Sequence, residues 1–554
     1  MKRFIALMMV LAMSLSLFAG CAKEEETTTA APTTAATEAT TAATEAPTEA
    51  PKERVLRIDA MMNSGFPAPH TTSPKGAGYV PLQFIYDTLM WKDASGIIPL
   101  LAKSFDVSSD SKTYTFHLNE GVKFNDGTPF TAEDVKFTFD YFAKFPYSWV
   151  STEKVKEVRV VDEVTVEIEL NEVYVPFITD IAASVPMLPK HVFEKVEDPT
   201  TYTEMDALTG TGPMKLESYD PEAGVWVFVK NADYFYGEVQ VDKMILSQYE
   251  DPKTALLNGD IDVAATTSFK QALSMEGEEN ITVLQGPSLW LSRILLNFDE
   301  PAFNELAVRE AMVYAIDREA IVKKAYNGAG IAGTDGFMDP SSPYFNDKVV
   351  SRTYDEAKAN ELLDTVAKDT DGDGIREYKG KKMSYELLIS EADEALAELL
   401  KAYFGAVGIE LTAKATDDNT VKQLIQEGSF TICANGHGSF GGDPKYMANI
   451  ATKTAGAAKI TVQGGNRWKS DEYDQTMAAS LSELDQAKRE ELVDKLQQLI
   501  ADNVPTIPLY YKNNACAYNN SVYDGFFYTV DGISSGIPYI YNKLVLVTGE
   551  WKAN

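Results

Sequence analysis

The amino-acid sequence predicts an α/β protein, and three observations carry that expectation. Period-two and helix-period apolar runs alternate along most of the 554 residues. Met383–Ile389 and Ile409–Ala413 flank a helical stretch with Leu396, Leu399, Leu400, Tyr403 and Val407 on one side, a strand–helix–strand unit. Between Ile98 and Phe142 a strand, a turn and a capped helix follow one another. Tyr114, Phe116 and Leu118 alternate with Thr115 and His117. Asn125-Asp126-Gly127 supplies turn chemistry, because Asn and Asp tolerate the left-handed region and Gly adopts it freely. Thr131 and Asp134 approximate a capping box, and the helix they open aligns Val135, Phe139 and Phe142.

Taken in order, Arg54–Met61 reads as a first strand leading into a Gly/Pro loop at 63–69, and Val80–Trp91 as a helix. Glu157–Val161 and Val164–Leu170 read as a hairpin around Asp162-Glu163, and Val225–Lys230 and Met244–Tyr249 as strands. Lys253–Asn258 reads as a short helix that Gly259–Ala264 continues. Ile281–Leu284 and Leu289–Phe298 read as two further strands. Val308, Met312 and Ala315 give one helix its apolar face, and Asp317 is placed to cap the next. A long helix carrying Leu492, Leu496, Leu499 and Ile500 stops near Asn503, before Pro505 and a strand at Thr506–Tyr511.

Composition bounds the function. The length predicts about two to four domains, and 45% hydrophobic residues can build a large core. A formal charge of −32 argues against nucleic acid and against electrostatic docking on anionic lipid, both of which need basic patches. With Cys21, Cys433 and Cys516 alone, the chain is no disulfide scaffold. Cys433 and Cys516 read as two packed thiols, with a bridge between them the alternative.

Residues 1–21 have the parts of an export signal: Lys2-Arg3, an apolar run from Phe4 to Leu17, then Ala19-Gly20 before Cys21. The run is shorter than the roughly 20 residues that span a membrane. Phe18-Ala19-Gly20-Cys21 resembles a bacterial lipobox, which makes Cys21 the expected lipid-modified residue. Residues 22–52 are Thr, Ala, Glu and Pro without an aromatic residue, so a disordered tether is expected, reaching on the order of 30 Å.

The 98–142 segment, Gly210-Thr211-Gly212-Pro213, Asn231-Ala232-Asp233-Tyr234 and the helix pair after Phe303 together resemble the peptide/nickel-type (family 5) extracellular solute-binding proteins, the ligand-capturing components of ABC importers. The resemblance implies a bilobed α/β clamshell of the periplasmic-binding-protein type with an extra small domain inserted in the first lobe. It places lobe I at 53–92, 188–300 and 512–554, the inserted domain at 93–187 and lobe II at 301–511. It implies a monomer anchored by lipid alone, partnered by a peptide or small polar solute and by membrane permeases with their ATPases, with no cofactor and no nucleic acid.

The stretch Asn435-Gly436-His437-Gly438-Ser439-Phe440-Gly441-Gly442-Asp443-Pro444 resembles the family's ligand loop. In peptide-binding members, an Asp three residues before the final acidic residue holds the peptide's ammonium group. Here that position is Phe440, while Asp443 is retained and His437 stands at the family's Trp position. A peptide would then need another carboxylate, because a buried charge left unpaired costs several kcal/mol. A neutral His437 could instead bind a metal chelate. Trp290, in the strand before the crossover to the next lobe, is a further candidate, as is Tyr510 or Tyr511, where the resemblance carries a ligand-side tyrosine. Phe66 lies in the loop that approaches ligand in the family, with a loop-packing aromatic the alternative. Arg293 and Arg467 could pair with a ligand carboxylate.

Two other chemistries have weaker signals. Asp369, Asp371 and Asp373 begin like an EF-hand loop, but the twelfth position is Gly380 where a bidentate Glu belongs, so calcium stands against a solvated turn. Four scattered histidines and the absence of HExxH or a nucleophile elbow leave a secreted hydrolase without a motif. No enzyme is expected.

Overall fold

A computed structural model describes residues 52–60, 65–72, 78–438, 443–450, 467–529, 532–534 and 542–553. Within them one large sheet runs Glu410–Thr416, Ser384–Ser390, Ile432–His437, Ile281–Leu296, Thr506–Asn519, Val263–Ala264, Val55–Asp59, Lys243–Ser247, Val225–Lys230 and Met214–Asp220. Gly330–Ala332 joins it by pairing with Thr506–Asn519. A separate antiparallel sheet orders Ala102–Val107, Thr113–Leu118, Thr165–Leu170 and Val155–Asp162.

Two strands hold the large sheet together. Ile281–Leu296 and Thr506–Asn519 pair antiparallel along nearly their whole length, with a shift between Pro287 and Trp290 where Leu289 has φ 54°. Pro287 offers no ladder donor, so the irregularity falls where pairing is already interrupted. Each strand passes from one hydrophobic core to another. Leu284 and Cys516 pack with Leu56, Trp91, Phe116 and Trp226. Ile294 and Ile507 pack with Val308, Leu387, Leu400 and Phe404. Leu291 and Tyr511 belong to a third cluster with Phe337, Met447 and Leu496.

The 98–142 expectations hold. Thr113–Leu118 buries Tyr114, Phe116 and Leu118, and Thr131 with Asp134 forms the capping box that opens Ala132–Lys144. Val135, Phe139 and Phe142 are buried on it, each contributing about 1.5–3 kcal/mol. The four-stranded sheet packs without a break into the core built on Leu56 and Trp226.

Four elements differ from expectation. The helix after Gly78 ends at Ile85, and Met90–Asp93 is a strand paired with Gly96–Pro99, because Asp93 Oδ1 and Gly96 at φ 119° make a tight turn. Gly259 does not continue its helix: at φ 78° it ends it, and Val263–Ala264 enters the sheet. The two strands expected within 281–298 are one, and Thr506–Tyr511 extends to Asn519, because a single pairing partner carries each across the irregularity. Gly210 and Gly212 lie against the helix end, where a Cβ would come within 2.0 Å and 2.4 Å of the Ile85 and Phe84 carbonyl oxygens.

The C-terminal segment staples the first core. Lys543 is fully buried, paired with Asp87 and 4.0 Å from the centre of the Trp91 ring. Asn542 accepts from Trp91 Nε1 at 2.8 Å and donates to the Lys92 carbonyl at 2.7 Å. Cys433 and Cys516 are free and buried, so the bridge does not form.

Candidate functional site

Register brings six of the candidates onto three adjacent strands but on both faces of the sheet, Tyr510 packing in the core of Ile294 and Ile507, and Tyr511 with Leu291, Phe337 and Met447. Leu291 pairs with His437 on one side and with Tyr511 on the other, Ser292 pairs with Gly436 and Tyr510, and Arg293 pairs with Asn435. Trp290, Arg293, Asn435, His437, Tyr510 and Tyr511 therefore stand on three adjacent strands where the large sheet passes between cores. Phe337, Tyr326 and Thr334 complete the surroundings.

Trp290 is 41% exposed, and its indole lies close against the backbone at Gly436 and Gly438. A Cβ on Gly436 would sit 2.1 Å from Trp290 Nε1, so only glycine admits this contact. An aromatic face left open beside close-approaching backbone is the usual material of a small-molecule site. Asn435 is half-buried, and its Oδ1 has no hydrogen-bond partner among the described residues.

Arg293 is fully buried with its guanidinium 5.7 Å from the centre of the Phe337 ring, and burial pushes its pKa down to about 10. Tyr510 stacks on Tyr326 at 3.9 Å, and the Tyr326 hydroxyl donates to Asp393 at 3.2 Å. Tyr511 shares a 2.9 Å hydrogen bond with Thr334, and burial drives both phenols well above their ordinary range. Tyr326 and Thr334 were not visible as candidates, because nothing in the linear sequence ties them to strand 506–519.

Other candidates are engaged elsewhere. Phe66 lies edge-on to Tyr219 at 6.4 Å within the first core, the loop-packing arrangement. Arg467 pairs with Asp299 and donates to the Glu427 carbonyl at 3.4 Å. Asp443 accepts two bonds from Arg489 Nη2, at 2.9 Å and 2.7 Å, and one from the Lys445 backbone N–H at 2.9 Å. Its carboxylate is thus committed to arginine and to starting the 444–449 turn. Ser439 and Phe440 lie outside the described residues, as do Cys21 and most of the tether, and of His437 only the backbone is described. Among the described residues no helix is long and apolar enough to cross a membrane.

The carboxylates of Asp369, Asp371 and Asp373 gather within 4.8 Å of one another. Lys382 Nζ sits 3.0 Å from Asp371 and pairs more closely with Asp373, while Asp369 accepts the Gly372 and Gly374 N–H groups. Lys382 thus already pairs with two of the three carboxylates. Gly380, the twelfth residue, turns the hairpin between Glu377–Tyr378 and Lys381–Lys382. A separate depression lined by Asp126, His191, Lys195 and Tyr202 holds none of the predicted residues.

Residues 96–459 match the family model of bacterial extracellular solute-binding proteins, family 5. The chain belongs to this family. The family 5 protein is 27% identical over 492 residues to the di/tripeptide-binding protein 3 of Pseudomonas aeruginosa, covering 83% of this chain and 90% of that one. Its fold matches the oligopeptide-binding protein AppA of Bacillus subtilis, solved with a nonapeptide, at a TM-score of 0.72 and 23% identity over 90% of this chain and 99% of that one. NikA of Brucella suis, solved with Fe(III)-EDTA, matches at 0.76 and 21% identity over 88% and 99%. These likenesses make the fold the bilobed α/β architecture of extracytoplasmic solute-binding proteins.

Proposed function

We propose that this family 5 protein is the lipid-anchored extracytoplasmic receptor of an ABC importer. It captures a peptide or peptide-like polar solute between two lobes and delivers it to a permease. Residues 53–92, 188–300 and 512–554 form one lobe, 301–511 the other, and 93–187 the small inserted domain. The open Trp290 face held against Gly436 at the crossing between separate cores carries this reading. The near-full-length similarity to a di/tripeptide-binding protein supports the ligand class. Trp290 offers a ligand its open face, and Asn435 Oδ1 offers an acceptor to an N–H donor. Capture requires only that the ligand bind the closed form better than the open one. Cys21 holds the protein at the membrane, and residues 22–52 give it reach.

A second reading, a metal-chelate, opine or oligosaccharide receptor, rests on Phe440 standing where peptide binders place a carboxylate and on His437 close by. Ligand-shift melting separates the two, since a ligand at a hundred times its Kd adds about 2.7 kcal/mol. Di- and oligopeptides are expected to raise Tm, with nickel–histidine and oligosaccharides inert. A shift with the chelate alone would replace the first reading by the second.

A further inference from the structure

The two cores also touch away from the crossing strands. On the first core, Tyr174, Phe177 and Ile181 anchor a short segment that presents Val175 and Asp180 outward. Tyr174 hydroxyl donates to Asp180 Oδ2 at 2.6 Å, fixing the carboxylate. Facing it, Lys445 of the 444–449 turn pairs with Asp180 Oδ1. Val175 N–H donates to the Leu481 carbonyl at 2.9 Å, and the Leu481 side chain packs against both the first core and the Met447–Leu496 core.

One guanidinium positions both contact points on the far side. Arg489 Nη2 clamps Asp443, whose Oδ1 holds the Lys445 backbone N–H. The same Arg489 donates from Nε to the Ser480 carbonyl at 2.8 Å, one residue before Leu481. Asp443 is also the last acidic residue of the ligand loop that starts at Asn435. Asp443, where that stretch ends, and the inter-core contact therefore share an anchor.

We propose that Asp180–Lys445, with Val175–Leu481 beside it, is a closure latch: it holds the lobes together through contacts the ligand does not make, and Arg489 sets both of its contact points on the far side through Asp443 and Ser480. The proposal rests on the reading of two lobes that close. A latch of this kind raises the closed population before ligand arrives and so lowers the ligand concentration needed for capture. Its surroundings fit a reversible contact. Asp180 keeps its bond from the Tyr174 hydroxyl when Lys445 leaves, and Lys445, whose ammonium is disfavoured by burial in the contact, regains water on opening.

The test uses the full mature chain, stripped of bound solute, in small-angle scattering and in titration with trialanine. Asp180→Asn and Lys445→Met are each expected to enlarge the radius of gyration of the ligand-free protein and to raise the half-saturating trialanine concentration about five-fold. The reversed pair, Asp180→Lys with Lys445→Asp, is expected to restore both values toward wild type, which damage to the fold would not do. Unchanged scattering and unchanged half-saturation in both single variants would overturn the latch. So would single-variant losses that the reversed pair fails to restore. If trialanine compacts neither wild type nor variants, the peptide reading fails, while the ligand-free expansion still decides the latch on its own.

Discussion

Two lysine–aspartate pairs in this molecule do opposite jobs. Lys543 and Asp87 are sealed inside one core, with no exposed surface, and Trp91 covers the ammonium. Lys445 and Asp180 bridge two cores and keep 23% and 14% of their side-chain surface, although burial lowers the Lys445 ammonium's pKa as well, to about 7. Burial pulls the Lys543 ammonium's pKa down while Asp87 opposes that, so each partner is tolerable only because the other is present. The difference teaches how one chain separates permanence from motion. A pair that must never open is desolvated completely, and a pair that must open keeps access to water.

The largest test of that contrast removes the sealed lysine. Lys543→Met leaves Asp87 charged and unpaired and is expected to cost about 3–5 kcal/mol in urea denaturation. Lys445→Met is expected to cost less in the same assay, because burial already disfavours the Lys445 ammonium and the Tyr174 hydroxyl still holds Asp180. Equal losses would erase the distinction. Next in size, Gly436→Ala forces a methyl into the Trp290 indole, at a strain of about 1–3 kcal/mol. The expected outcome is loss of the trialanine-induced Tm shift, with folding retained by circular dichroism.

A smaller effect sharpens the permanent side. Arg54 bonds Asp242 through Nε and Nη2, and Lys230 adds a further bond, which together hold that carboxyl well below the usual range. A depressed folded-state pKa contributes stability that is complete above the ordinary carboxylate value, about 3.9, and is lost as pH falls through the folded value. Asp242 is a quarter exposed, so at most about 1 kcal/mol is involved. Asp242→Asn should lower neutral-pH stability by at most about 1 kcal/mol and flatten the fall in Tm below about pH 4. Smallest of all, calcium is expected to produce no resolvable Tm shift, because Lys382 already sits on Asp371 and Asp373.

The sequence announced what local chemistry dictates. Thr131, Asp134 and the alternation around Phe116 predicted their elements because capping and period-two burial are properties of a few neighbouring residues. The strands through Trp290 and Tyr510 were visible, but not that they run on as partners, since only pairing carries a strand through Pro287. Within the candidate site, Trp290, Asn435 and the tyrosines share adjacent strands, but pleating sends Tyr510 and Tyr511 into different cores. Asp443 reads differently in three dimensions: the partner that claims it, Arg489, lies on a helix elsewhere in the chain, and no motif links the two. Phe66 and Arg467 show the same effect, each engaged by a residue distant in sequence.

The claim on which the account depends is that a small solute is held between the lobes and released unaltered. Native mass spectrometry of the mature chain, taken after purification and again after incubation with trialanine, tests it directly. The account predicts one peptide-sized mass per chain and recovery of intact trialanine on denaturation. A bare chain at saturating trialanine, or recovery of alanine and dialanine, would contradict it.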